Sequence, residues 1–370
     1  MRTAKSGPRF LLGASQIAGV AVAVLLVGGS VYTATRDDGL RVPVHEVIPE
    51  VAVAPAPVPV APQPAAPTQP KDGPAIIKVN PTPAPTNGPI VIRDPSTLSK
   101  NPRTAHLPDK ALLEESPSGP LPIRGADGRR PFEAYAGAWS GTRGAKVAII
   151  IGGLGVSQTG TQAAIRKLPG EVTFAFASQG NSLSRWMQAA RQSGHEIVMQ
   201  VPLEPFDYPA VDPGRNTLTV DGDPAENIES LHWALSRTTN YTGIMNYMGG
   251  RFITERSAME PLMKELGKRG LMFVDDGSSA RSVAAELALG NAVPFAAGEG
   301  VIDGTRERGA ILKKLDQLEA AARAKGFAIG TGSAFDETVD AVSTWVAEAK
   351  KRGIEIVPVS ALASDPEASR

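Results

Sequence analysis

The chain has 370 residues, enough for one large domain with appendages or for two ordinary domains. Its 38 Lys and Arg balance 38 Asp and Glu, which argues against nucleic-acid binding, because such proteins usually carry a basic surplus. The lack of cysteine excludes disulfides, thiol nucleophiles and cysteine-bound zinc. Any imidazole-based site must be built from four histidines: His45, His106, His195 and His232.

The N-terminal segment, residues 1–36, has the pattern of a membrane anchor. A basic start precedes an uncharged run from Phe10 to Thr35. About 20 apolar residues cross a hydrocarbon core of roughly 30 Å, and the basic flank stays in the cytoplasm. The sequence therefore predicts a single-pass protein of the inner (cytoplasmic) membrane with its C-terminal domain in the periplasm. A cleaved signal peptide is the alternative.

Residues 37–124 are predicted to be a disordered Pro/Ala-rich linker. The stretch from 41 to 124 holds 20 of the 32 prolines. Proline fixes φ and removes a backbone donor, so this composition favours an extended, polyproline-II-biased chain over helix. The linker then connects the anchor to one folded domain, residues 125–365.

Short apolar runs alternate with amphipathic helical patterns throughout that domain. One helical pattern joins Ile311, Leu315 and Leu318, and another joins Val339, Val342 and Val346. Alternation of this kind predicts an α/β fold with a mostly parallel sheet, either open or closed into a barrel. The expected strands are 146–151, 172–177, 196–201, 242–246, 271–274, 292–297, 327–330 and 354–359.

Local signals mark where the helices begin and end. Asp223 followed by Pro224 is typical of a capped helix start. Four glycines, each after a basic last turn and directly before a strand, predict left-handed helix caps: Gly194, Gly270, Gly326 and Gly353.

Ligands of such folds gather at the carboxyl ends of the strands. The first strand of the domain ends in the run Gly152-Gly153-Leu154-Gly155, which could cradle a phosphate. The dinucleotide fingerprint, however, lacks its third glycine at Gln158 and its acidic residue at the end of the second strand. A tight turn is the better interpretation of this glycine run.

Motifs along the domain are similar to those of the polysaccharide deacetylase family, in its divergent branch. The resemblance covers about residues 145–362 and implies a deacetylase-like (β/α) barrel of seven to eight mostly parallel strands with outer helices. It also implies metal-dependent removal of N-acetyl groups from glycans. The stretches that carry it are LPGEVTFAFA, ARQSGHEIVMQVPLEPFDYP, DPGRNTL, NYMGGRF, RGLMFVDDGSS, AIGTG and RGIEIVPVSAL.

The chain departs from the family at the positions that the resemblance assigns to chemistry. Gly152 and Gly153 stand where the family has two aspartates, and Gln200 and Glu204 stand where it has two metal-binding histidines. Tyr247 replaces a histidine, and the late Gly-His-Pro motif reads Gly330-Thr331-Gly332. A catalytic zinc usually needs three protein ligands. We therefore predict no family metal site and no cofactor.

A rebuilt site could instead use carboxylates. Glu204 and Asp275 are the candidate catalytic residues, and with Asp276 and Asp303 they could hold a divalent cation only as a site unlike the family's. The competing interpretation is that Asp275 and Asp276 bind free amides of a helix near Ser278. The candidate substrate-binding residues are Gln200, Asn246, Tyr247, Arg251 and Asp276.

The histidines favour structure over catalysis. His195 is expected to be hydrogen-bonded in a loop, although it is the one histidine near the presumed cleft, and His232 is expected to pack on a helix. The leading hypothesis is thus a membrane-anchored periplasmic pseudoenzyme that binds a cell-envelope glycan. An active carbohydrate N-deacetylase with a carboxylate site and a non-catalytic protein-interaction module are the alternatives, and a protein partner stays open.

Overall fold

The computed structural model describes residues 104–368. The predicted anchor, 1–36, and most of the predicted linker lie outside these residues. Within the described part, no helix combines the length and apolar character needed to cross a bilayer.

The described residues form ten strands and eight α-helices. The strands are β1 (Leu113–Ser116), β2 (Gly119–Pro122), β3 (Lys146–Leu154), β4 (Thr173–Ala177), β5 (Ile197–Leu203), β6 (Gly243–Met248), β7 (Met272–Asp275), β8 (Phe295–Ala297), β9 (Phe327–Ser333) and β10 (Glu355–Ile356). The helices are α1 (Pro131–Ala134), α2 (Gln158–Lys167), α3 (Leu183–Gln192), α4 (Pro224–Leu235), α5 (Arg256–Arg269), α6 (Ala284–Gly290), α7 (Arg308–Lys325) and α8 (Asp336–Lys351).

Strands β3 to β10 form a parallel sheet that curls into a barrel. The order β3-β4-β5-β6-β7-β8 follows the chain. Strand β9 pairs with β3 along its own whole length, and β10 pairs with the first two residues of β3. The segment after β8 closes the barrel, because the Glu299 N–H donates to the Ile329 carbonyl at 2.8 Å and the Ile302 N–H to the Thr331 carbonyl at 2.8 Å. All eight strands predicted for the domain are present, and closure settles the choice between open sheet and barrel.

Alternation along each strand divides the apolar residues between two cores. One parity, such as Ile149 and Phe273, packs against the helices, whereas the other, such as Ile150, Val198 and Val274, fills the barrel. The amino-terminal end of the barrel is covered by the segment around α1 and by the C-terminal residues 357–363, which join the inner core. The carboxyl ends of the strands form the other end of the barrel.

The folded part begins earlier than the predicted boundary at residue 125. Residues that the composition assigned to the linker form a 3₁₀ turn, Lys110–Leu112, and the β1–β2 hairpin. Leu112 and Leu121 are fully buried, and Arg269 of α5 donates to the Pro122 carbonyl at 2.9 Å. Proline is tolerated here because each strand of a two-stranded hairpin has one free edge. A proline whose nitrogen faces that edge removes no hydrogen bond from the ladder.

The predicted helix signals are confirmed. The Asp223 carboxylate accepts from the Ala225 N–H at 2.8 Å and begins α4, with Pro224 as its first residue. The four glycines before strands all have positive φ, between 69° and 95°. Each therefore provides the left-handed residue that ends a helix and turns the chain back toward the sheet.

Candidate functional site at the carboxyl ends of the strands

The inner parity of the strands brings small and polar residues together above the apolar core of the barrel. Four residues that face the barrel interior are Ile150, Ala175, Val198 and Met245. Two positions further along the same strands, at the carboxyl ends of β3 to β6, are Gly152, Ala177, Gln200 and Tyr247. Gln200 lies level with Ala177 on the neighbouring strand. Residues that are far apart in the sequence therefore form the bottom of the site at this end of the barrel.

Gln200 and Gly152 share one volume. The Gln200 side chain reaches from β5 past the small Ala177 of β4 to β3, where its Oε1 accepts from the Gly153 N–H at 2.7 Å. A Cβ added at Gly152 would lie only 2.7 Å from Gln200 Nε2 and 3.1 Å from its Cδ. Gly153 itself has φ +72°, as the predicted tight turn requires. Gly152 thus leaves space for the Gln200 amide, and the Gly153 N–H binds it.

This arrangement does not fit the family's metal. The Gln200 amide fills the space that a carboxylate side chain at position 152 would need, and its NH₂ group is a donor rather than a metal ligand. Within residues 104–368, no three Asp, Glu or His side chains lie close enough together to hold a metal ion. The four carboxylates considered from the sequence are therefore not gathered into a cation site.

Glu204 is buried and fully engaged with its own chain. Its carboxylate accepts from the Val220 N–H at 2.6 Å and from the Arg251 guanidinium, which also donates to Asp221 at 2.9 Å. The Glu204 backbone adds a bond from its N–H to the Leu218 carbonyl at 3.0 Å. Glu204 and Arg251 thus hold the long segment after β5 against the end of the barrel, which explains a buried carboxylate without a catalytic role.

Asp275, Asp276 and Asn246 organise the loop after β7. Asp275 Oδ1 accepts from the Gly277 N–H at 2.9 Å and Asp276 Oδ1 from the Ser278 N–H at 2.9 Å. Asn246 Oδ1 in turn accepts from the Asp276 N–H at 2.8 Å. The two aspartates bind free amides, as the competing interpretation expected, but those amides belong to a loop, since α6 begins only at Ala284.

The Asp275 carboxyl is buried, and its pKa is shifted. Burial raises its pKa, and the Ser282 hydroxyl and the Gly277 N–H oppose the rise. Val274 faces the barrel interior, so Asp275 lies on the outer parity of β7. A buried acid on that side serves the loop rather than a ligand in the barrel mouth.

Exposed aromatic residues line the same end of the barrel. Tyr247 is 39% exposed, and Phe206 and Tyr208, in the segment after β5, are 57% and 37% exposed. The Phe206 ring lies over Gly250, where an added Cβ would meet two ring carbons at 3.2 Å, and the Arg281 guanidinium lies 5.7 Å from the ring centre. Phe206 and Tyr208 were not among the predicted site residues, although both stand in the run PLEPFDYP directly after a strand end.

His195 and His232 lie away from this site. His195 lies two residues before the start of β5, so it belongs to the amino-terminal end of the barrel, and its predicted nearness to the cleft is wrong. Its Nδ1 bonds the Val172 carbonyl at 2.8 Å, its ring stacks on Phe174 at 3.7 Å, and burial lowers its pKa to about 4. His232 is half-buried on α4 and contacts Glu265 at 2.7 Å. Both are structural, as expected.

A closed parallel (β/α) barrel with polar and aromatic groups at the carboxyl ends of its strands is the architecture that the resemblance to the deacetylase family implies. The model of the family "Divergent polysaccharide deacetylase" matches residues 149–363, more than half of the chain. The chain belongs to this family, and the resemblance seen in the sequence is confirmed.

Three uncharacterised relatives each match more than half of this chain. A solved structure of an uncharacterised protein from Agrobacterium tumefaciens C58 is 56% identical, covers 66% of this chain and 99% of that one, and superposes with a TM-score of 0.65. The uncharacterised protein YibQ of Escherichia coli K12 is 22% identical over 236 residues, 64% of this chain and 73% of YibQ. An uncharacterised protein of Haemophilus influenzae is 24% identical over 194 residues, 52% of this chain and 68% of its own length.

Proposed function

We propose that the domain is a glycan-binding pseudoenzyme. It binds a cell-envelope carbohydrate at the carboxyl ends of the barrel strands and does not hydrolyse it. Family membership points to a carbohydrate ligand, and the changed site points to binding without turnover. The active N-deacetylase and the protein-interaction module are the outcomes against which this proposal is tested.

One observation carries the proposal: the Gln200 amide fills the place where a carboxylate from β3 would act. Deacetylation needs an activated water and stabilisation of the charge that develops on the amide oxygen, which the family's metal and base supply. Here the glycine at position 152 offers no base, and the neighbouring glutamine cannot be ionised. Positions 152 and 200 therefore lack the groups that would drive the reaction.

The exposed aromatic rings provide the binding surface. The apolar faces of sugar rings pack on aromatic side chains, while the rim of hydroxyls needs polar partners. Phe206, Tyr208 and Tyr247 supply such faces, and Arg281 supplies a charged group beside Phe206. This combination suits an extended, mostly uncharged oligosaccharide.

The proposal places the domain in the periplasm, tethered to the inner membrane by residues 1–36. The proline-rich composition of the segment before the domain is that of an extended tether, which would give the domain reach toward the envelope glycan. The test is to express the chain with a C-terminal tag, fractionate the cells and add protease to spheroplasts. The tag should travel with the inner membrane and be digested, whereas a tag recovered intact or in the soluble fraction contradicts the tether.

Binding and turnover are tested on the full chain, purified in a detergent without a sugar headgroup. Titration calorimetry with N-acetylglucosamine oligomers and with peptidoglycan fragments measures affinity, and acetate release and metal content are measured on the same samples. We expect binding without acetate release or bound zinc. Phe206→Ala should weaken binding about tenfold, as loss of one ring contact implies.

Phe327→Ala is the matched control. Phe327 is 43% exposed but begins β9, at the opposite end of the barrel, so its loss should leave affinity unchanged. Acetate release abolished by Glu204→Gln would instead establish the hydrolase. Capture of one protein with no measurable glycan affinity would establish the interaction module.

A further inference from the structure

Two arginines lie beside one tryptophan of the outer helix α4. The guanidinium carbon of Arg215 is 5.6 Å from the centre of the Trp233 ring, and that of Arg237 is 5.2 Å from the same centre. Arg215 is exposed, whereas Trp233 and Arg237 are half-buried. A guanidinium is attracted to the face of an aromatic ring, so the Trp233 ring holds both positive charges near one place.

The three residues that follow β4 position both arginines. The Gln179 side chain donates from Nε2 to the Arg215 carbonyl at 3.3 Å and so fixes the backbone there. The Ser178 and Gly180 carbonyls accept from the Arg237 guanidinium at 3.0 and 3.2 Å. One short segment therefore sets the place of both arginines before any ligand is bound, which lowers the entropy cost of binding there.

Within the described residues, neither guanidinium has a negatively charged partner. Arg215 and Arg237 enter no ion pair there, and the carboxylate of Asp212, the acid nearest to Arg215 in the chain, accepts from a backbone N–H of its own loop at 2.8 Å. By contrast, Arg269 at the end of α5 is matched by Glu265 at 2.6 Å. Two like charges without a counter-charge repel each other, and a bound anion would relieve that repulsion.

A buried hydroxyl that no described residue binds lies beside Arg237. Ser178 continues the outer parity of β4 after Phe174 and Phe176, so its side chain is directed to the side of the sheet on which Arg237 lies. Its Oγ is buried without a hydrogen-bond partner, and so is Oγ1 of Thr238, the residue after Arg237. Buried hydroxyls ordinarily have partners, so this place has hydrogen-bonding capacity that the fold leaves unused.

The pair of arginines selects the kind of anion. A carboxylate matches the fork of a single guanidinium. A phosphoryl group instead presents three oxygens and up to two negative charges, so it can accept from two guanidiniums at once. Sugar phosphates, phospholipid headgroups and inorganic phosphate all carry this group.

We propose that Arg215 and Arg237 form a binding site for a phosphoryl group beside Trp233, on the helix side of the sheet. The group lies between the two guanidiniums and supplies the negative charge that the described residues do not. The site is separate from the aromatic surface proposed to bind glycan and does not depend on it.

The test measures phosphate binding to the full chain by titration calorimetry at neutral pH, in the detergent chosen for the glycan measurements. The probes are inorganic phosphate, glucose 6-phosphate and glycerol phosphate, with glucose and glycerol as uncharged counterparts that should not bind. Arg215→Met and Arg237→Met should each weaken phosphate binding about tenfold, as loss of a charge-assisted hydrogen bond implies. Arg166→Met removes an exposed charge from α2 and is the control, which should bind phosphate as the unaltered chain does.

The comparison of probes identifies the source of the phosphoryl group. Tighter binding of glucose 6-phosphate than of inorganic phosphate supports a sugar phosphate as the ligand, and tighter binding of glycerol phosphate supports a lipid headgroup. Equal affinities support free phosphate. Arg215 makes no side-chain hydrogen bond within the described residues, so Arg215→Met should fold normally, which circular dichroism checks.

Two results would overturn the inference. One is an unaltered chain that binds none of the three phosphate probes, and the other is a phosphate affinity in both Arg215→Met and Arg237→Met equal to that of Arg166→Met. Affinity for the N-acetylglucosamine oligomer should be the same in all of these proteins. If no glycan binds while phosphate does, the proposed function fails and the phosphoryl site stands.

Discussion

Gly152→Ala should destabilise the fold, and Gln200→Ala should relieve most of that loss. The added Cβ would lie 2.7, 3.1 and 3.2 Å from the three outer atoms of the Gln200 side chain. The amide must then move and give up its 2.7 Å bond to the Gly153 N–H, which is worth about 1 kcal/mol, with overpacking adding about 1 kcal/mol more. We expect Gly152→Ala to lower the free energy of unfolding by about 2 kcal/mol.

Urea unfolding followed by tryptophan fluorescence measures this directly, because all four tryptophans lie within the described domain. In a double-mutant cycle the Gly152→Ala and Gln200→Ala changes should be coupled by about 1–2 kcal/mol in the stabilising direction. Gly330→Ala is the control, since its Cβ would crowd Leu318 on the helix side of β9 and should add independently to Gln200→Ala. Additivity between positions 152 and 200 would refute the shared volume on which the site rests.

Three further variants test the structural roles of charged and titratable residues. Arg251→Met should leave the buried Glu204 carboxylate without its guanidinium and lower the free energy of unfolding by about 1–3 kcal/mol. His195→Gln should flatten the pH dependence of the free energy of unfolding. The histidine has a pKa of about 4 in the folded chain and about 6.5 in the unfolded chain, so its contribution to that free energy is complete above pH 6.5. The contribution falls by about 3 kcal/mol toward pH 4. Arg269→Leu should release the hairpin at residues 113–122, and digestion with a glutamate-specific protease should show faster cleavage there.

Each of these variants has an outcome that would contradict its reasoning. Arg256→Met removes an exposed ion pair and should change stability by less than about 0.5 kcal/mol, so an equal loss in both arginine variants would make Arg251 an ordinary surface residue. A pH profile unchanged in His195→Gln would show that the buried imidazole does not titrate as proposed. Unaltered cleavage in Arg269→Leu would mean that Leu112 and Leu121 hold the hairpin by themselves.

Much of the fold could be predicted because its signals are local. Apolar runs such as 146–151 and glycines such as Gly270 are set by strand burial and by the left-handed helix cap, which depend on a few neighbouring residues. The hairpin at 113–122 escaped prediction because its proline content is typical of a linker. Its order comes from the burial of Leu112 and Leu121 and from contacts of Arg269, which follows about 150 residues later.

For the site, too, local features could be predicted from the sequence and long-range contacts could not. The sequence by itself determined the family, the alternation of strands and helices, and the changed residues at positions 152, 200 and 204. Only the tertiary structure decided what those changes mean, because the Gln200 amide meets Gly152 and Gly153 across an intervening strand. Likewise, only the fold committed Glu204 to Val220 and Arg251. A hydrogen bond or a shared volume depends on distances in space, and in a parallel barrel residues some 50 positions apart in the chain become neighbours.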